Sequence, residues 1–274
     1  MQRMVLNLLY AICLLLAQPA SSQQTIRVAG YPFSPFVTKD QNSYSGITLD
    51  FIHALNECQQ TYRFEFVPTT AATRYTAFRH GRFDMMLFEN QQWGWQTYPV
   101  EFIPTSLLDG DVMVALNLPG RDLTLFEHPE QRSLIAVAGY HYGFANFDSN
   151  PEHLRQRFNI LLVNNNHSSL MALQRRRGEI ALITFSHLAI ELAQNPDLRQ
   201  ELLISPQFDN RYHLGVILRK QNTLTLAEMS RLIDILARQQ QTLPHLWHKY
   251  VPSALLPIPQ DPEPPVNTQN NGSE

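Results

Sequence analysis

The chain reads as short apolar strands alternating with amphipathic helices. "TIRVA" (25–29) predicts a strand, and "YRFEFV" (62–67) alternates with period two, the mark of a strand buried on one face. "FDMMLF" (83–88) is instead a continuous apolar run bounded by polar residues, which suits an interior strand covered on both faces. "GITLDFIHALNECQQ" (46–60) places Leu49, Ile52, Leu55 and Cys58 near one helical face. "ATRYTAFRHG" (72–81) predicts a short helix that Gly81 can end in a left-handed conformation. After "DGDVMVALNLPG" (109–120) the pattern restarts. Strands are predicted at 133–139, 159–163, 180–184, 201–205 and 212–220, with helices at 151–158, 168–178, 187–194, 224–241 and 243–251. This alternation predicts an α/β protein of two similar units, each a mainly parallel sheet flanked by helices. Ligands of open α/β sheets sit outside the carboxyl ends of the strands, so the expected site is the cleft between two lobes.

The two ends of the chain read differently. Arg3 and the short apolar run "MVLNLLYAICLLLA" precede "QPASSQ", with Ala20 and Ser22 set for a cut before Gln23. Residues 1–22 are therefore expected to be a cleaved signal peptide, and the mature chain to be periplasmic. The run is short of the roughly 20 residues that a membrane span needs. Only Cys58 remains after such a cut, so stability must come from a core rather than from a disulfide. With 274 residues, 44% of them hydrophobic, that core is within reach. A net charge of -3 supplies no basic field for nucleic acid, and "RRR" at 175–177 suits a helix end. The Pro-rich, then polar, residues 252–274 are expected to be a disordered tail.

A set of ordered motifs resembles the family 3 extracellular solute-binding proteins, the periplasmic receptors best known for polar amino acid ABC transport. "GYPFSPF" (30–36) resembles the family's first-strand loop, and "GITLDFIHAL" (46–55) its first helix with Asp50 as the acid. "FRHGRFD" (78–84) carries the glycine and aspartate of its next helix end. "GYHYG" (139–143), "LQRRRGEIAL" (173–182) and "LPHLWHKYV" (243–251) are similar to later segments. The resemblance implies the two-lobed type II periplasmic binding fold. Lobe one would be residues 23–117 plus 206–251 and lobe two residues 118–205, with crossings near Leu116–Gly120 and Ser205–Arg211. It also implies hinge closure on a small solute, as a monomeric receptor without cofactor, delivering its solute to a membrane permease or presenting it to a sensor. A dehydratase-like enzyme on the same fold is the catalytic alternative. Yet the family's carboxylate-binding arginine is missing from "ENQQWGWQ" (89–96), and its amine-binding aspartate from "IALITFS" (180–186).

Candidate binding residues follow from these loops. Tyr31 and Phe33 flank the first loop, Phe33 as the stacking aromatic the resemblance implies. Arg74 opens a helix, where a cation opposes the dipole, so a ligand anion or carbonyl is one partner for it and Glu89 the other. Trp93 and Trp95 either offer faces to a ligand or pack the loop. Tyr140, His141 and Tyr142 lie in a loop expected to face lobe one, between glycines that let backbone approach a ligand. Ser168, Ser169 and the adjoining His167 start a helix, where a cap or an anion contact is open. Thr184 and Ser186 stand where the family's amine-binding acid would be. No nucleophile elbow, phosphate loop or dinucleotide motif is present, and His245 with His248 lacks a third metal ligand in the sequence, so neither catalysis nor a metal is expected.

Overall fold

A computed structural model describes residues 23–239, 243–252 and 259–261. The expected signal peptide and most of the expected tail lie outside these residues. The first part of the chain runs β1 (Gln24–Gly30), a small hairpin β2 (Thr38–Asp40) and β3 (Ser43–Ser45), α1 (Ile47–Glu57), β4 (Tyr62–Pro68), α2 (Arg74–Arg79) and β5 (Met85–Glu89). The long strand β6 (Val100–Leu116) follows, then β7 (Leu134–Val137), α3 (Pro151–Arg157), β8 (Ile160–Val163), α4 (Asn166–Gln174) and β9 (Ile180–Thr184). Helices α5 (Phe185–Gln194) and α6 (Leu198–Glu201) lead into a second long strand, β10 (Leu202–Arg219), and α7 (Leu226–Arg238) and α8 (Leu243–Tyr250) close the chain.

Eight strands form one ladder in the order β4-β1-β5-β10-β6-β9-β7-β8. At one end β1 pairs in parallel with β4 and β5, and at the other β7 pairs in parallel with β8 and β9. The fold is the type II periplasmic binding fold, with its two parallel sheets joined edge to edge. The join arises because β6 and β10 are antiparallel partners along nearly their whole length. Near its start β6 pairs only with β10, and from Asp111 to Ala115 it also pairs with β9. β10 takes β5 as a second neighbour at Gly215–Leu218. The strands therefore change company around 108–111 and 208–213. The first of these changes falls earlier than the expected crossing at Leu116–Gly120.

The continuous apolar runs are explained by burial on both faces. In β9, Ile180 and Leu182 enter one core while Ala181 and Ile183 enter the core on the opposite face. β6 divides in the same way, with Met113 and Ala115 on one side and Val112 and Val114 on the other. Two sequence expectations change here. The separate strands read at 201–205 and 212–220 are one strand with register shifts at Ile204/Phe208, Phe208/Asn210 and His213/Gly215. The tail also contributes structure. Gln260 bridges Gln207, its N–H donating to the Pro206 carbonyl (2.7 Å) while its carbonyl accepts from Phe208 N–H (2.8 Å). The backbone groups that this irregular stretch of β10 leaves open find partners in Gln260.

Candidate functional site

The carboxyl ends of β1 and β5 and the loops before α2 and after β7 converge on one enclosed gap. Tyr31, Phe33, Arg74 and Trp93 line it from the β1–β5 side. Gly139, Tyr140 and His141 line it from the loop after β7, and Asp111 and Tyr212 project from the long strands between. The space left is about 10 Å³, room for roughly one water. Side chains of the two halves fill the rest. Phe33 meets Tyr140 and Trp93 edge to face, at ring centroids 5.5 and 6.2 Å apart. Trp93 stacks on His141 at an interplanar angle of 7° and meets Tyr212 edge-on at 4.8 Å. Such aromatic pairs are each worth about 0.5–1.5 kcal/mol beyond the area they bury.

Arg74 lies at the centre and is 1% exposed. Its Nη1 donates to the carbonyls of Ala71 and, across the gap, Gly139 (3.0 Å), and its Nη2 donates to the Tyr75 hydroxyl (2.7 Å). Its Nε lies 3.3 Å from Glu89 Oε2, and the guanidinium sits 5.3 Å from the Tyr31 ring centre. Burial pulls its pKa down, but Glu89 and the surrounding tyrosines outweigh that, and the net shift is upward. The same Glu89 oxygen accepts the indole N–H of Trp95 at 2.6 Å. Glu89 thus fastens Arg74 to the core of the β1–β5 side, and Trp95 is fully buried there.

On the opposite wall, Asp111 Oδ1 accepts from the Thr184 hydroxyl (2.9 Å), and the Tyr212 hydroxyl stands 3.4 Å away. Thr184 Oγ1 in turn accepts from Asn166 Nδ2 at 2.9 Å. Burial drives the Asp111 carboxyl well above its ordinary range; Asp209 and Asp109 add to this and the Thr184 bond opposes it. Asp109, bonded to Ser186, and Asp209, bonded to the Gly143 and Phe144 N–H groups, are both pushed up to about 6 by burial. Burial first, then Arg74, holds His141 down at about 3, so its ring is neutral.

Of the sequence-predicted residues, Tyr31, Phe33, Arg74, Trp93, Tyr140 and His141 come together at the gap, with Glu89 directly behind Arg74. Others stand elsewhere. Tyr142 is fully buried, and its hydroxyl accepts the Val137 N–H at 2.9 Å, which makes it an anchor for its own loop. Ser168 is not at the gap; its N–H donates to Asn165, the cap of α4. Thr184 does not line the gap but supports Asp111, which does. The glycines of "GYHYG" approach the protein's own backbone: a Cβ on Gly139 would meet Ala72 N at 2.7 Å, and one on Gly143 would meet Asp209 O at 2.1 Å. Asp111 and Tyr212 escaped the sequence reading. The signal for Asp111 was an acid inside the apolar strand "DGDVMVAL".

No family model and no curated protein matches the chain. Solved structures share its fold. The GluR0 ligand-binding core complexed with L-glutamate aligns with a TM-score of 0.64 and 17% identity, covering 84% of this chain and 99% of that one. The substrate-binding protein of an ABC uptake transporter from Streptococcus pneumoniae, with bound histidine, aligns with a TM-score of 0.65 and 18% identity over 82% and 92% of the two chains. An ancestral amino acid-binding protein, a precursor of cyclohexadienyl dehydratase, aligns with a TM-score of 0.60 and 19% identity over 83% and 95%.

Proposed function

We propose that this protein is an exported receptor that binds a small amine-bearing solute between its two halves and hands it to a membrane permease, without turning it over. The two lobes are taken as the parallel ends of the ladder, hinged where β6 and β10 change neighbours. The observation that carries the reading is the composition of the gap. Both halves and both long strands contribute side chains to it, so a bound solute touches everything that moves when the halves part. With room for about one water when closed, the gap must open to admit a solute and would close around it. A solute stabilises the closed arrangement only through contacts that the open one lacks, and residues from both sides supply them.

The charges select the solute. Arg74 is already matched by Glu89, whereas Asp111 has no ion-pair partner among the described residues and burial pushes its carboxyl well above its ordinary range. An ammonium group placed against Asp111 favours its carboxylate and gains a charged hydrogen bond. The faces of Trp93, Tyr212 and Phe33 suit the same cation or an apolar body attached to it. The amino acid binders among the structural neighbours fit this reading, and their roles in ABC uptake support delivery to a permease.

A thermal-shift screen over amines, polyamines, amino acids, sugars and organic acids tests it, with calorimetry on the hits. The expected ligands carry an amine, and Asp111→Asn weakens them at least tenfold, about 1.4 kcal/mol. Hits confined to sugars or acids, or unchanged affinity in Asp111→Asn, would reject the assignment.

A further inference from the structure

A second group of chemically capable side chains lies outside the gap. His167 opens α4, and His187 and Glu191 are one turn apart on α5. The helices bring them together, and one ligand atom from each lies within 4.8 Å of the others. Glu191 Oε1 is 2.9 Å from His167 Nδ1 and 3.2 Å from His187 Nε2. Tetrahedral zinc with bonds of about 2.0–2.1 Å would hold its ligand atoms about 3.3 Å apart, so the two Glu191 separations need only a few tenths of an ångström of adjustment, and the two imidazole nitrogens, within 4.8 Å of each other, would draw in around the ion.

Hydrogen bonding alone leaves the cluster incomplete. The His187 side chain is only 8% exposed, yet neither of its ring nitrogens makes a hydrogen bond; Nε2 faces Glu191 but is out of line for one. A buried, unpaired imidazole is costly unless something accepts its lone pair. The trio lines a cavity of about 470 Å³ whose other wall is built by the first-strand loop, including Pro32, Ser34 and Lys39. Lys249, also on that wall, has its charge taken up by Asp50 at 2.6 Å.

We propose that His167, His187 and Glu191 form a binding site for a zinc-class divalent transition metal ion, with three protein ligands and a fourth position open to the cavity. Two imidazoles and one carboxylate are a donor set that favours zinc over calcium or magnesium, which prefer oxygen ligands alone. The site is separate from the aromatic gap, and its three ligands all come from one half of the ladder.

Titration of the purified protein with Zn²⁺ against a chromogenic chelator tests the site, with Co²⁺ absorption as a second readout of coordination. The expected result is one ion per chain, a visible Co²⁺ band of four-coordinate intensity, and at least tenfold weaker Zn²⁺ binding in both His167→Ala and Glu191→Gln. His167 is 63% exposed and Glu191→Gln preserves shape, so both variants should melt as the wild type does. Absence of stoichiometric Zn²⁺ binding overturns the proposal, and so does wild-type affinity in either variant. In that case the trio is an ion-paired cluster joining α4 to α5.

Discussion

Trp93 and Trp95 show how much one residue can decide. Both sit in the polar stretch "ENQQWGWQ", and by composition each could pack or bind. Gly94 between them takes φ +83, a left-handed conformation that a side chain would strain, and a Cβ there would meet the Tyr75 hydroxyl at 3.2 Å. The reversal sends one indole into the core against Phe78 and Tyr98 and the other to the gap against His141 and Tyr212. Trp95→Ala should therefore cost about 3–5 kcal/mol of folding stability, as for other large-to-small core changes, and leave Glu89 short of a donor. Trp93→Ala should cost clearly less and instead weaken solute binding. Urea unfolding of the two variants checks this, and equal losses would contradict the division of roles. The Arg74–Glu89 pair carries the same lesson. Each residue was legible as a candidate, but whether Arg74 met a ligand or Glu89 depended on the intervening residues 75–88 folding back.

At the scale of elements, local patterns translated well where the signal was local. β9 falls on the predicted run at Ile180–Thr184, because four consecutive apolar residues after Gly178 and Glu179 have one good use in a two-faced sheet. α7 begins with a capping box, in which the Thr225 hydroxyl accepts the Glu228 N–H and the Glu228 carboxylate accepts from Thr225. Thr225→Ala should lower stability by about 1 kcal/mol, measured by urea unfolding, with no effect on solute binding; a loss below about 0.3 kcal/mol would mean the box is idle. The long strands were harder to read. Pro104 and Pro206 interrupt the patterns of β6 and β10, and proline in a strand ordinarily argues against one. In the structure the register shifts of β10 fall near these prolines, with Pro104 opposite Gly215 and Pro206 within the first shift. Only the partner strand makes that visible.

For the molecule as a whole, the contact between the halves is close enough to depend on one missing Cβ. Gly139, at φ +85, lies against the backbone of Ala71 and Ala72 from the opposite half, and its carbonyl accepts from Arg74. Gly139→Ala should wedge the halves apart, raising the radius of gyration in small-angle scattering and weakening solute binding at least tenfold. An unchanged radius with unchanged affinity would show that this approach does not control closure. The proposed metal site lines a separate cavity that is also walled by both halves.

The amino-acid sequence by itself determined the α/β class, the positions of most strands and helices, and six of the side chains that meet in the gap. These rest on periodicity and turn chemistry, which act within a few residues. The tertiary structure decided the rest: the fusion of two sheets through β6 and β10, the choice between Trp93 and Trp95, the pairing of Arg74 with Glu89, and the joining of His167 to His187 and Glu191. Each of those depends on groups far apart in the chain becoming neighbours, and the free energy of burial and pairing that selects them has no local signature.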